Sequence, residues 1–344
     1  MARISIKDIA RVAGVSHSTV SRALSDSPLV NPETKARIQR LAREMGYTPD
    51  AAARSLVMGR SRTVGVVVTT IADPFIAQVV QGIESTAYEH GYTVILASSN
   101  SDPAREMAAV EMLRSKRVDG VIVTSSRVGA LYQDHLERIG VPVVLINNHS
   151  EQSGRYTFSI SVDNQHCGYL ATHHLIELGH RRIAFVTAQV NHSSNMGRLA
   201  GYQLALSEAG LAFDPSLVVA GNGRVDGGVQ SWSSLKALPE PPTAVFCYND
   251  MTAIGLLRAV RQAGLSVPQD LSVVGFDDIP FASFVSPSLT TIAQPQFEMG
   301  QRAMQMSLAL MKKAPPDVPV SDVLIKGKLI VRESSGCPRV STLN

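Results

Sequence analysis

A chain of 344 residues, 44% of them hydrophobic, is long enough for two or three domains with a sizeable core. Its net charge of +3 hides an asymmetry: residues 1–62 hold 11 Lys/Arg against 5 Asp/Glu, a balance of +6, and the remainder balances at −3. No run reaches the ~18 apolar residues of a membrane span, and Met-Ala-Arg is not followed by the apolar core of a signal peptide. These features predict a soluble, cytoplasmic protein whose basic head meets a polyanion.

The first element is Ile6 to Leu24, IKDIARVAGVSHSTVSRAL. Ile6, Ile9, Ala10 and Ala13 share one helical face, Gly14-Val15 turns the chain, and Val20, Ala23 and Leu24 form a second face. Ser5 with Asp8 reads as a capping box, and Ser16 as the cap of the second helix. Glycine at 14 accepts the positive φ such a turn needs. The pattern predicts a helix-turn-helix, whose second helix offers its N-terminal residues to the major groove of DNA. On that helix Ser16, His17, Ser18, Thr19, Ser21 and Arg22 are the candidate contacts. Arg22 can donate two hydrogen bonds to guanine, and the hydroxyls can meet phosphates. A helical hairpin with a merely solvated face is the bland alternative.

Asn31-Pro32-Glu33 then gives a cap, a proline at the first helical position and an acid in the first turn. A third helix is predicted from Thr34 to Met45, closed by Gly46, with Ile38, Leu41 and Met45 inward. Residues 1–48 make the predicted head. Residues 49–62 follow as a linker, in which Pro49 and the alanines 51–53 favour a turn or two of helix too short to persist alone in water.

The words IKDIARVAGVSHSTVSRAL, NPETKARI, MGYTPDAAARSL and GRSRTVGVV resemble the head and linker of the lactose-repressor (LacI/GalR) family of bacterial transcription regulators. The resemblance extends over about residues 2–335. It implies a hinge helix that orders when two subunits share operator DNA, with Ala53 and Leu56 at the DNA and Leu56 wedged into the minor groove. The family usually has Asn where this chain has Asp50, and the added charge should weaken DNA binding unless it points away.

From Thr63 short β-branched strands alternate with amphipathic helices, which predicts parallel sheets covered on both faces. Two such series, the second starting at Ser159, predict two doubly wound parallel-sheet lobes. The expected lobe limits are 63–158 with 291–320 and 159–290 with 321–335, followed by a loose tail at 336–344. One helix is expected near 129–139, and the segment 288–296 is expected to cross between lobes. This is the periplasmic-binding-protein-like body of the same family.

In open α/β sheets ligands sit beyond the carboxyl ends of the strands. That rule selects Thr69, Asp73, Phe75, Ser125, Asn147, Ser194, Arg198, Asn249, Asp250, Asp277, Asp278, Gln294 and Gln296. Amides and carboxylates suit vicinal hydroxyls, and Phe75 offers a stacking face, so a sugar or sugar derivative is the expected effector, with purines as the competing class. The resemblance implies effector contacts at Arg198, Asn249 and Asp277. The bland alternative at each of these positions is a turn or cap, because Asn and Asp are common after strands. Asp250 and Asp278 in particular suit caps of the helices that follow.

Other signals are set aside. Gly221 to Gly227 is similar to a dinucleotide fingerprint, but Asp226 stands where the third glycine is needed. His173, His174 and His180 run off a helix end and read as surface or capping residues, so no metal is expected. Cys167, Cys247 and Cys337 lack CxxC spacing and read as buried reduced thiols. No nucleophile elbow, P-loop or paired-carboxylate motif suggests an enzyme, and no cofactor is implied. The expectation is a homodimeric repressor on a pseudo-palindromic operator, tuned by a small effector. A sugar-binding protein of a transport system is the alternative, for which Arg22 and Leu56 have no use.

Overall fold

The computed structural model describes residues 4–47, 59–125, 141–147, 157–188, 193–311 and 323–339. The chain divides into two units, residues 1–61 and 62–344. In the first, α1 (Ile6–Ala13), α2 (His17–Leu24) and α3 (Pro32–Glu44) enclose Ile9, Ala13, Val20, Ala23 and Ile38. The capping signals act as expected. Ser5 and Asp8 form a reciprocal box, Ser16 accepts from the Thr19 N–H, and Asn31 accepts from the Glu33 N–H. Gly14 adopts φ 64° and turns the chain out of α1. Leu41 and Met45 pack half-buried on the core, and α3 begins at Pro32, the proline expected at the first helical position.

The second unit begins with β1 (Thr63–Val68), α4 (Pro74–Glu89), β2 (Thr93–Ser98) and α5 (Pro103–Ser115). It continues through β3 (Gly120–Thr124), β4 (Val143–Ile146), β5 (Thr157–Val162), α6 (Asn164–Glu177), β6 (Ile183–Val186) and α7 (Ser193–Glu208). Then come β7 (Val218–Val219), α8 (Val225–Lys236), β8 (Ala244–Cys247), α9 (Asp250–Gln262), β9 (Ser272–Asp277) and α10 (Phe281–Phe284). β10 (Thr290–Ala293), α11 (Gln296–Met311), β11 (Val323–Ile325) and β12 (Lys328–Ile330) finish it. The helix expected near 129–139 lies outside the described residues.

The strands form two sheets, ordered β11-β5-β4-β3-β1-β2 and β12-β10-β9-β8-β6-β7. All pairings are parallel except β10 with β12. Continuous apolar strands such as VGVVV are buried on both faces, as parallel sheets require.

The lobe limits read from the sequence need correction. β5 (Thr157–Val162) pairs with β4, so it ends the first lobe, where residues from 159 onward had been given to the second. β11 also belongs to the first sheet, and β10, reaching to Ala293, to the second. The chain therefore crosses between lobes at Asp163, at Gln294–Pro295 and at Lys326–Gly327. Alternation of strands and helices reveals a strand but not the sheet it joins, so the limits slipped by one strand.

Three helix pairs cross with their backbones nearly touching. In α4/α11, a Cβ on Gly82 would strike the Phe297 carbonyl and one on Gly300 the Val79 carbonyl. In α6/α7 the same holds for Gly168 with Arg198 and Gly201 with Gln165, and in α8/α9 for Gly228 with Thr252 and Gly255 with Val225. The contact of α11 with α4 carries the crossing chain back onto the first lobe.

Candidate functional site

On α2 the residues expected to read DNA stand out from the head core. His17, Ser18 and Arg22 are exposed, while Thr19 and Ser21 are partly exposed. Ser16 is committed to capping: its Oγ accepts from the Thr19 N–H at 3.1 Å and lies 2.8 Å from the Ser18 and Thr19 hydroxyls. Val20 and Ala23 hold the opposite face in the core, which fixes which side of the helix is presented. Ala53, Leu56 and the Asp50 departure lie outside the described residues.

Between the lobes lies a cavity of about 420 Å³ at the carboxyl ends of both sheets. The first lobe contributes Thr69, Thr70, Asp73, Asn100, Ser101 and Ser125; the second contributes Asn222, Arg224, Asp226, Tyr248 and Asn249. Of the residues selected by the strand-end rule, Thr69, Asp73, Ser125 and Asn249 line it. Asp73 caps α4, accepting from the Phe75 N–H at 2.9 Å, and burial raises its pKa against that hydrogen bond. Asn249 caps α9 by accepting from the Thr252 N–H and Oγ1, and donates to the Gly223 carbonyl.

Phe75 is a correction. It is 6% exposed within the first lobe's core, packed with residues such as Ile76 and Val79, and offers no stacking face. As the second residue of α4 it turns inward beneath the cap. Among the described residues the aromatic side chain at the cavity is Tyr248, which follows β8.

Arg198 and Asp277 lie behind the cavity lining. Arg198 is 3% exposed; its Nε donates to Asn164 Oδ1 at 3.0 Å and its Nη1 to the Tyr248 carbonyl. Its guanidinium covers the Phe276 ring at 3.5 Å and the Tyr248 ring at 4.4 Å. Such stacking suits a planar, delocalised cation. Ser194 lies 2.9 Å from the Tyr248 hydroxyl and steadies that ring.

Asp277 ends β9 at φ 120°, followed by Asp278 at 55°. Its Oδ1 accepts from Gln294 Nε2 at 2.6 Å, and its carbonyl accepts from Gln296 Nε2. Burial raises its pKa well above the usual carboxylate range; Arg198 opposes this, and Asp250 and Asp73 add to it. Asn147 is buried at φ 54°, and among the described residues its side-chain oxygen has no partner.

The capping roles expected of Asp250 and Asp278 are also corrected. Asp250 is fully buried, accepting from Thr291 Oγ1 at 2.5 Å and the Ile279 N–H at 2.9 Å, and burial pushes its pKa up to about 7. Asp278 instead pairs with Arg332 at 2.7 Å.

His174 and His180 are buried, contrary to their reading as surface or cap residues. His180 bonds to Thr243, Ser272 and the Gly336 carbonyl, and His174 to Ser335, so both tie down the chain near its end. Cys167 and Cys247 are buried free thiols, whereas Cys337 is exposed.

The strand-end rule, applied fully, would have found the missed lining residues. Asn100 and Ser101 follow β2, and Asn222 to Asp226 follow β7 within the segment set aside as a failed fingerprint. That segment serves the cavity through its own turn: Asn222 accepts from the Arg224 N–H and donates to Asp226.

Comparison with known proteins matches both the head and the body. Residues 5–50 match the model of bacterial regulatory proteins of the lacI family, and residues 172–335 match a periplasmic binding protein-like domain. The chain is 36% identical to the HTH-type transcriptional repressor PurR of Vibrio atlanticus, over 89% of this chain and 92% of that one. It is also 36% identical to the ribose operon repressor of Haemophilus influenzae, over 96% and 98%. The Lac repressor dimer bound to operator and the anti-inducer ONPF superposes with a TM-score of 0.84 at 27% identity, over 97% of this chain and 100% of that one. A recognition helix on a capped three-helix head, a two-lobed body with a polar cleft and relatives matched along nearly their whole length make the chain a DNA-binding transcription regulator of the lacI family.

Proposed function

We propose that the protein is a repressor that binds a pseudo-palindromic operator as a homodimer, with its affinity set by a small sugar-like effector in the interlobe cavity. The observation carrying the effector reading is the cavity wall. Hydroxyls, amides and carboxylates from both lobes surround a volume suited to a small polyol. Relatives at the same 36% identity include PurR and a ribose operon repressor, so identity alone does not choose the ligand. A nucleobase needs stacking area, and the Tyr248 ring is already covered on one side by Arg198.

The test is a thermal-shift screen of the full chain against pentoses, hexoses, disaccharides, nucleobases and nucleosides, followed by operator binding with each hit. A saturating ligand at 100 times its Kd should stabilise the protein by about 2.7 kcal/mol. A sugar hit that changes operator affinity supports the reading; hits restricted to nucleobases would overturn the sugar assignment. Dimeric binding is checked by comparing a full operator with a single half-site.

A further inference from the structure

Arg198 and Asp277 are bound within the protein to the places where the chain passes between lobes. Arg198 donates to Asn164, which in turn donates to the Val162 carbonyl, so the guanidinium is fastened across the first crossover at Asp163. Asp277 accepts from Gln294 and, through its carbonyl, from Gln296; these residues flank Pro295 in the second crossover. The Gln294 N–H also reaches the Asp277 carbonyl at 3.3 Å.

The third crossover lies against both. The Asp163 N–H donates to the Ile325 carbonyl at 2.9 Å, and Gly327 is so close to Cys167 Sγ and the Ala293 carbonyl that a Cβ would meet them at 2.7 and 3.0 Å. Gln294 is 3% exposed, and among the described residues its Oε1 has no partner. Half of its amide is therefore spent on Asp277 while the other half is unsatisfied, which leaves the Asp277 bond as its one side-chain anchor.

We propose that Asn164, Gln294 and Gln296 are positioning residues that carry the hydrogen-bond state of Arg198 and Asp277 to the interlobe crossovers. This rests on the reading that the cleft takes a small polar effector. A ligand that engages the Asp277 carboxylate or the Arg198 N–H groups competes with Gln294 and Asn164. The crossovers then exchange one set of restraints for another, and the angle between the lobes follows. Only the difference in ligand affinity between two lobe arrangements can drive such a change. The buried Gln294 and the half-buried Asn164 and Gln296, placed at the crossovers, supply a local origin for that difference.

The experiment is amide hydrogen exchange on the full-length protein with neither ligand nor DNA, so its outcome is independent of the effector screen. Asp277→Ala should lower protection at least tenfold at residues 294–297, and leave residues 163–165 and the strand amides of β3 and β8 within twofold of wild type. Asp277→Asn, which keeps an acceptor oxygen for Gln294, should restore the crossover protection. Gln294→Ala should reproduce the loss in a chain whose cleft carboxylate is intact, and the double variant should add less than twofold to either single change. Unchanged protection at 294–297 in both alanine variants would overturn the proposal. So would loosening spread evenly through the body, failure of Asn to rescue, or additive effects in the double variant.

Discussion

The recognition helix and the second lobe's side of the cleft hold their candidate side chains in opposite ways. On α2, His17, Ser18 and Arg22 stand exposed, and the bonds the polar residues make, from the Ser16 cap to Ser18 and Thr19, stay within one turn of the helix start. At the cleft Arg198, Asn249 and Asp277 are all buried and already hydrogen-bonded within the protein. A surface that must fit a rigid duplex can keep its donors in water until contact. A cleft that must change the protein's shape holds its charges in bonds that a ligand can exchange. The first arrangement favours affinity and the second favours coupling.

The largest effect expected concerns a residue that belongs to neither set. Phe75→Ala should cost about 3–5 kcal/mol of stability by opening the first lobe's core. Denaturant unfolding measures this; a loss below 1 kcal/mol with weakened ligand binding would return Phe75 to the cleft.

Next comes Arg22→Ala, which should lose about 1–3 kcal/mol of operator preference in each half-site and leave the thermal midpoint unchanged. Anisotropy titrations on operator and random DNA separate base reading from phosphate contact. Equal losses on the two DNAs would make Arg22 a phosphate ligand.

The buried carboxylates give the comparison a pH signature. Burial raises the Asp250 pKa from the ordinary 3.8 to about 7, and raises Asp277 as well. At low pH both are protonated in the folded and unfolded chains. As pH climbs from about 4 towards 7 the unfolded chain ionises first, so their contribution to stability falls across that window. His174 and His180 act oppositely, since burial lowers their pKa and stability is lost as pH drops below about 6.5. The difference between wild type and Asp250→Asn isolates the carboxylate, and the variant should show a flatter decline in thermal midpoint between pH 5 and 7. An identical slope would mean that Asp250 is ionised throughout. The smallest effect expected is Ser16→Ala, about 1 kcal/mol of head stability from the lost cap, read by circular dichroism.

Much of this was legible from residues alone. Ser5, Asp8, Gly14, Ser16 and Asn31 announce the head because caps and left-handed turns act within a few residues of their cause. The strand-end rule found Thr69, Asp73, Ser125 and Asn249 for a similar reason: a parallel sheet presents its carboxyl ends to ligands. What stayed hidden depends on distant partners. Nothing near Phe75 says whether its ring faces the cleft or the core, and nothing near Arg198 names Asn164 as its acceptor. The lobe limits missed because β5 and β11 are claimed by a sheet whose other members lie far away in sequence.

The six glycines at the crossings of α4/α11, α6/α7 and α8/α9 have a consequence for how far this body can drift. Within a helix, exchanging glycine for alanine ordinarily gains about 0.5–1 kcal/mol. Here each exchange drives a methyl group into a carbonyl of the facing helix axis, and no repacked side chain nearby can make room for it. Compensation would have to come from displacing a whole helix. Arg198, whose own carbonyl faces Gly168, would move with it. Sequences descended from this one can vary the cavity wall and so change ligand, but the glycine seams should outlast every such change.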